Sequence, residues 1–283
     1  MQEKYVKSPL NYTGGKYKLL SQLIPLFPKN GGKFVDLFTG GGNIIANISG
    51  FDKRIANDLE KKVIEIFKEF QGRGLDSVIR EINTIVKIYD LDKQNAEAYF
   101  NFREWYNNTL LASPIDLFIL ICFSFNNQIR FNKKGEFNLP FGKRCYNERT
   151  EKNLTDFINA IDDVEFISED FRNVFNEIEL NKGDFVYCDP PYLITCATYN
   201  ERDGWNEKDE KDLLNLLDGL NEKGIHFGLS NVLSNKGKTN ELLVEWCKKY
   251  TVFHLNNSYS HCSYNTKDRE SKPDEVYITN FLG

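Results

Sequence analysis

The chain has 283 residues, 41% hydrophobic and 27% charged, with a net charge of −5. It can hold one large domain or a domain with an insertion, and it has no apolar run of membrane-spanning length. The acidic balance argues against indiscriminate nucleic-acid binding and leaves room for a local basic face. Its cysteines (122, 145, 188, 196, 247, 262) form no Cys-x-x-Cys, and the histidines are His226, His254 and His261. This predicts reduced thiols and no disulfide framework, zinc site or other metal site. His261 and Cys262 are adjacent but lack a partner motif and read as loop residues. Residues 1–5 lack the apolar core of a signal peptide, so a cytoplasmic protein is expected.

Residues 11–18 read Asn-Tyr-Thr-Gly-Gly-Lys-Tyr-Lys, and Leu19, Leu20, Leu23 and Ile24 follow at helical spacing until Pro25 and Pro28. A Gly-Gly-Lys turn opening a helix suits an anion, because helix N-termini carry partial positive charge and Lys16 adds a full one. The Walker spacing is absent, and a plain glycine turn with a solvated lysine is the alternative. Next come a strand candidate, residues 34–38, a glycine loop, Thr39-Gly40-Gly41-Gly42-Asn43, and a helix opening at Ile44-Ile45-Ala46. Strand, glycine loop and helix open a nucleotide-binding α/β unit, although Gly-x-Gly-x-x-Gly is missing. Residues 54–58 form a second strand ending in Asp58. An acid there binds ribose hydroxyls, or it caps the helix beginning at Glu60.

Residues 60–126 predict helices. Val63, Ile64, Phe67 and Phe70 form one apolar stripe, and Val78, Ile79, Ile82, Ile85, Val86 and Tyr89 form a second. Ala98, Phe102, Trp105 and Leu110 form a third. Residues 115–125 are almost wholly apolar and predict a buried helix. The βα alternation is interrupted, which indicates an inserted helical subdomain. Residues 126–149 then gather Arg130, Lys133, Lys134, Lys143, Arg144 and Arg149 with Asn126, Asn127, Gln128, Asn132 and Asn138. Lys133-Lys134-Gly135 fits a hairpin turn. Arg for guanine, Asn or Gln for adenine and Lys for phosphate are the side chains of major-groove reading. A solvated basic loop is the alternative.

The α/β pattern resumes with a strand at 164–167 followed by Ser168-Glu169-Asp170-Phe171. The strand 184–188 ends in Asp189-Pro190-Pro191-Tyr192. The prolines fix φ and remove two N–H donors, and the residue before each is pushed toward extended geometry. Such a turn can grip an exocyclic amine: Asp189 accepts from one N–H, the Pro190 carbonyl accepts from the other, and Tyr192 stacks on the ring. A Pro-Pro turn with a capping Asp is the alternative. A helix at 207–220, a strand at 225–230, a helix at 241–249 and strands at 251–255 and 275–279 complete the pattern, the last two as an antiparallel pair at the sheet edge. Residues 267–273 are polar and read as a loop.

Taken together, residues 12–16, 34–42, 57–58, 130–144 and 184–195 resemble the Dam-type DNA adenine-N6 methyltransferases, as do 210–220 and 227–233. The likeness covers nearly the whole chain and is nearest their phage-borne branch. Motif order is similar too: Gly-Gly-Lys, glycine loop, inserted segment, Asp-Pro-Pro-Tyr. The resemblance implies an α/β fold with a Rossmann-like seven-stranded S-adenosylmethionine-dependent methyltransferase sheet. Residues 1–60 and 163–283 would form the catalytic domain. Residues 61–162 would form an inserted, mainly helical target-recognition domain containing the basic hairpin. It implies methylation of adenine in double-stranded DNA at GATC, with no metal. A monomer is expected in solution, although oligomeric state is not implied. By matching position, Tyr12, Lys16, Asp58 and Asp189 would touch S-adenosylmethionine, and Asp36, Phe38 and Gly40 would line its pocket. Asp170 and Phe171 would flank its adenine, and Asp189, Pro190, Pro191 and Tyr192 would carry the chemistry. Phe125, Asn126, Gln128, Arg130, Asn132, Lys133, Lys134, Pro140 and Arg144 would contact DNA. Tyr12 stands where many relatives have Trp, which keeps an aromatic ring. Three other classes share part of this pattern: a nicotinamide oxidoreductase, a protein or RNA methyltransferase, and a DNA-binding module without catalysis. None of them accounts for the intact turn and the basic insertion together.

Overall fold

The computed structural model describes residues 5–194, 204–256 and 273–282. Cys196, His261, Cys262 and residues 267–272 of the expected loop lie outside them. In chain order the strands are β1 (Gly31–Asp36), β2 (Phe51–Asn57), β3 (Val164–Ile167), β4 (Phe185–Cys188), β5 (His226–Asn235), β6 (Lys238–Thr239), β7 (Thr251–His254) and β8 (Asp274–Thr279). The helices are α1 (Leu20–Leu23), α2 (Lys61–Arg73), α3 (Leu75–Ile88), α4 (Ala96–Asn108), α5 (Pro114–Phe123), α6 (Glu148–Ala160), α7 (Val174–Glu177), α8 (Glu207–Glu222) and α9 (Glu241–Trp246). Seven of the described strands have four residues or more, and β6 has two. The chain is mixed α/β, as the motifs imply. It divides into two compact units.

One unit comprises Lys16–Thr39, Ile48–Leu59 and Glu169–Gly283. Its strands run in the order β2-β1-β4-β5-β8-β7, with β6 on β5. β1, β2, β4 and β5 are parallel, and β8 runs antiparallel between β5 and β7. The expected C-terminal pair is present, with β7 at the edge and β8 inside. All four residues of β4 are buried, as a central parallel strand covered on both faces requires. Phe27 packs its ring 5.5 Å from Phe185, 5.2 Å from Tyr187 and 5.6 Å from Tyr277. Asp36 ends β1 in register with Ala56 and Tyr187. The carboxyl ends of β1, β2 and β4 therefore share one edge and deliver Asp36, Asp58 and Asp189 along it, where open α/β sheets bind ligands.

The other unit comprises Met1–Gly15, Gly40–Asn47 and Glu60–Ser168. Its centre is α5, with nine of ten residues buried. Ser113 and Asp116 form a capping box at its start, with Pro114 in the first turn, which satisfies otherwise orphaned N–H groups. Phe70 of α2 meets Phe118 of α5 edge-on at 5.1 Å. Phe67 of α2 lies 5.4 Å from Phe166 of β3. Gln71 donates to the carbonyls of Ile161, Asp162 and Val164.

Several local expectations are corrected. The helix after Gly-Gly-Lys is a 3-10 turn (Lys16–Leu19), the single turn α1 and a second 3-10 turn (Ile24–Leu26), because Pro25 cannot continue an α-helix. The helix expected from Ile44 is a 3-10 turn, Ile45–Asn47. The Asn47 side chain bonds both backbone groups of Val6 and the Asn43 carbonyl, in competition with helical pairing. Leu110 lies beyond the end of α4 and is exposed. Phe125 follows α5 at 52% exposure, outside the core. The α2 cap is Glu60, which accepts from the Lys62 N–H, rather than Asp58.

Candidate active site

The end of β4 carries a compact ionic cluster. Lys16 Nζ lies 2.7 Å from Asp189 Oδ2 and 3.8 Å from Glu275 Oε1 of β8. The three side chains are 5%, 17% and 8% exposed respectively. The Tyr192 hydroxyl donates to Asp189 Oδ1 at 3.0 Å and lies 3.4 Å from Glu275 Oε1. The Lys16 ammonium stands 5.1 Å from the centre of the Tyr192 ring. Burial raises the Asp189 carboxyl pKa, against the pull of the Lys16 charge and of hydrogen bonds from Lys16 and Tyr192. Burial also pushes the Tyr192 phenol up, reinforced by the Asp189 and Glu275 charges. Pro190 is buried and Pro191 exposed, so the turn leaves the sheet between an anchored and a solvated ring.

Beyond β1 and β3, three rings converge in the same unit. Phe38 lies 5.4 Å from Phe171 and 5.7 Å from Trp205, and Phe171 and Trp205 are 5.6 Å apart. Trp205 Nε1 donates to Glu210 Oε2 at 2.6 Å. Glu210 is wholly buried, and its Oε1 accepts from Asn231 Nδ2 at 3.2 Å and Asn240 Nδ2 at 2.9 Å. Arg172 covers Phe171 at 4.5 Å and ion-pairs with Asp170, Asp209 and Asp212. Asp36 is buried and accepts from the Thr39 hydroxyl at 2.9 Å. Asp58 is half-buried just past β2. Asn57 holds the two neighbouring loops, donating to the carbonyls of Leu37 and Glu169 and accepting from the Glu169 N–H.

In the other unit Tyr12 and Gly40 are brought together. Gly40 has φ +48°, and a Cβ there would sit 3.0 Å from the Tyr12 ring, so any side chain would be strained and would crowd the aromatic face. The basic segment forms the expected hairpin. Phe131 pairs with Phe137, Ser124 pairs with Phe141, and the Gly135 N–H donates to the Asn132 carbonyl. Asn132 accepts from the N–H groups of Lys134 and Glu136 and donates to the Glu136 carboxylate. Arg130 is held by Asn138, its Nε on Oδ1 at 2.7 Å and its Nη2 on the carbonyl at 3.1 Å. Arg144 is exposed and donates to Asn127 Oδ1 at 3.3 Å. Lys133, Lys134 and Pro140 are exposed, and Gln128 is half-buried. Asn126 is left-handed, with φ 57°, and its carbonyl accepts from Asn11. One face of α4 seats the hairpin. The Tyr99 hydroxyl and Arg103 Nη1 both donate to the Leu139 carbonyl, and Asn107 bonds both backbone groups of Phe137. These residues recur every four positions and so share one helix face.

Sequence reasoning missed Glu275, Trp205 and Glu210. A lone acid before the apolar Val276-Tyr277-Ile278 run and a lone Trp in a polar stretch were the available signals. Glu210 looked like one more acid in the first turn of α8. Among the described residues no group of three or more His, Cys, Asp or Glu is placed to hold a metal ion. No described helix is long and apolar enough to cross a membrane. The described cysteines, Cys122, Cys145, Cys188 and Cys247, are unbridged.

The family model of the D12 class N6 adenine-specific DNA methyltransferases matches residues 12–261. The type II methyltransferase M.FokI of Planomicrobium okeanokoites is 46% identical over 98% of this chain and 43% of its own length. The modification methylase StsI of Streptococcus sanguinis is 42% identical over 99% of this chain and 43% of its own. The DNA adenine methylase of Escherichia coli K12 is 27% identical over 78% of this chain and 79% of its own. The chain thus spans less than half the length of the first two relatives.

Proposed function

The chain belongs to the D12 class N6 adenine-specific DNA methyltransferase family, and on that basis we propose that it methylates the N6 amine of adenine in double-stranded DNA. The observation that carries this is the cluster at the end of β4, where a half-buried acid on a Pro-Pro turn is held by a buried lysine and a tyrosine. S-Adenosylmethionine, when bound, supplies a methyl group on a positively charged sulfur. The residues fit such a group. The Phe38, Phe171 and Trp205 rings suit a flat heterocycle. Asp58, just past β2, suits ribose hydroxyls. The Asp36 and Asp189 carboxylates suit a cation.

The chain's own chemistry is positioning. The exocyclic amine is conjugated with the purine ring and is a poor nucleophile. Asp189 and the Pro190 carbonyl, accepting its two hydrogens, favour a pyramidal nitrogen with an available lone pair. Directed acceptors in a buried site supply the rate. Lys16 keeps Asp189 ionised against the burial that raises its pKa. The amine cannot be reached inside a duplex, so the adenine leaves the stack and Tyr192 packs on it. Residues 61–162 are assigned to target recognition, with the exposed Phe125 available to fill the vacated space. GATC is the target that the Dam resemblance implies. The name of one relative, the modification methylase StsI, favours a restriction-modification setting.

Radiolabelled methyl transfer to unmethylated duplexes carrying GATC, its one-base variants or neither, followed by base analysis, tests the proposal. Label in N6-methyladenine is expected. Label on protein, on RNA or on no acceptor overturns it, and equal label on all duplexes overturns GATC alone.

A further inference from the structure

We propose that Glu275 is a positioning residue for methyl transfer: it takes over the Tyr192 hydroxyl when the target amine comes to Asp189. This rests on the methyltransferase reading above. Glu275 starts an otherwise buried apolar stretch of β8. A buried carboxylate is costly unless it is paired. Its polar partners include Lys16, at 3.8 Å, and the Tyr192 hydroxyl, at 3.4 Å. These are also the two groups that hold Asp189.

A phenol has one proton to donate, and the Tyr192 hydroxyl has two acceptors in reach, Asp189 Oδ1 at 3.0 Å and Glu275 Oε1 at 3.4 Å. While that proton rests on Asp189, it takes one lone pair of the oxygen that the amine needs and weakens it as an acceptor. Turned to Glu275, it clears Oδ1 without leaving a buried hydroxyl unsatisfied. Lys16 has three donors and the same two carboxylates in reach, so it can stay on Asp189 Oδ2 throughout.

The test measures methyl transfer to duplex DNA by Glu275→Ala, Glu275→Gln, Tyr192→Phe and the two double variants. Loss of one charge-assisted hydrogen bond predicts that Glu275→Ala lowers kcat by about tenfold or more. The KM values for the methyl donor and DNA should change by less than about twofold, since ground-state binding is untouched. Glu275→Gln keeps an acceptor oxygen and should recover most of the rate. In the Tyr192→Phe background the loss from Glu275→Ala should shrink to what its pairing with Lys16 contributes. The same loss in both backgrounds, a Gln variant as poor as Ala, or a change in KM alone overturns the proposal. A second readout needs no activity. In protein carrying 13Cζ-labelled tyrosine, the Tyr192 resonance is assigned by its absence in Tyr192→Phe and should move in Glu275→Ala. An unmoved resonance sinks the role of Glu275. A wild type that methylates no DNA sinks the functional reading instead, and the resonance still decides the hydrogen bond.

Discussion

Replacing Glu210 with Gln exchanges one heavy atom of a wholly buried side chain, a carboxylate oxygen for an amide nitrogen. The carboxylate accepts three hydrogen bonds, two on Oε1 from Asn231 and Asn240 and one on Oε2 from Trp205. A Gln can present its oxygen to only one side. Keeping the two asparagine bonds sets its amide N–H against the Trp205 indole N–H, donor against donor at the 2.6 Å separation now seen. Three charge-assisted bonds at about 1.5–3 kcal/mol each become two neutral ones at about 0.5–1.5 kcal/mol and two facing donors without an acceptor. Relief from burying a charge returns part of this, which leaves a net loss of about 2–4 kcal/mol, in the upper range for one substitution. Trp205 must also move, and it forms one wall of the Phe38–Phe171 group. Urea unfolding should therefore show a lower midpoint at unchanged slope, and calorimetry should show weaker S-adenosylmethionine binding. Trp205→Phe should weaken binding with a smaller stability loss. A Gln variant as stable as wild type with full affinity would refute both the role of the buried carboxylate and the ring group as a binding wall.

Asp189→Ala should abolish methyl transfer with an unchanged circular dichroism spectrum, because it removes an amine acceptor at a loop while Glu275 remains as a carboxylate near Lys16; a folded, active variant would end the assignment. Because burial raises the Asp189 pKa and an acceptor must be ionised, the rate should fall as pH drops through that raised value. The acid limb of kcat/KM should lie above the ordinary aspartate value of about 3.9. Lys16→Gln removes the strongest opposing influence and should move the limb further up, and a downward shift would contradict this. Arg144→Ala should lower preference for the cognate duplex by about five- to a hundredfold. Lys133→Ala or Lys134→Ala should weaken all duplexes alike and reduce the salt slope by about one unit. The reverse pattern would invalidate the roles given to the hairpin.

What could be read from the chain follows from how local each signal is. The buried run into Asp189-Pro190-Pro191-Tyr192 was legible because apolar strand, prolines and acid are contiguous. The hairpin was legible because Lys133-Lys134-Gly135 is a turn by composition, and α5 was legible because nine buried positions follow one another. The meeting of Lys16, Asp189 and Glu275 was not legible. It depends on β8 entering the sheet beside β5, and strand order carries no local mark. Glu210 hid among the ordinary first-turn acids Glu207 and Asp209, and only the fold shows that it faces inward. The two truncated helices failed for a different reason: their apolar spacing was right, but Pro25 and the Asn47 side chain outcompeted helical hydrogen bonding.

The way α4 holds the hairpin has a consequence for how such a protein can diversify. Tyr99, Arg103 and Asn107 clasp only main-chain atoms of Phe137 and Leu139, and main-chain atoms are the same whatever side chains the hairpin bears. These hydrogen bonds are therefore indifferent to the polar residues displayed at the turn, while the apolar side of the hairpin, Phe137, Leu139 and Phe141 against the Tyr99 ring, stays fixed. On the roles proposed above, a substitution at Arg144 would alter which duplex is chosen, and one at Lys133 or Lys134 how tightly any duplex is held, while these bonds stay in place. Selectivity can drift without a matching change in the helix, and hairpins exchanged between related chains should seat without redesign of their support.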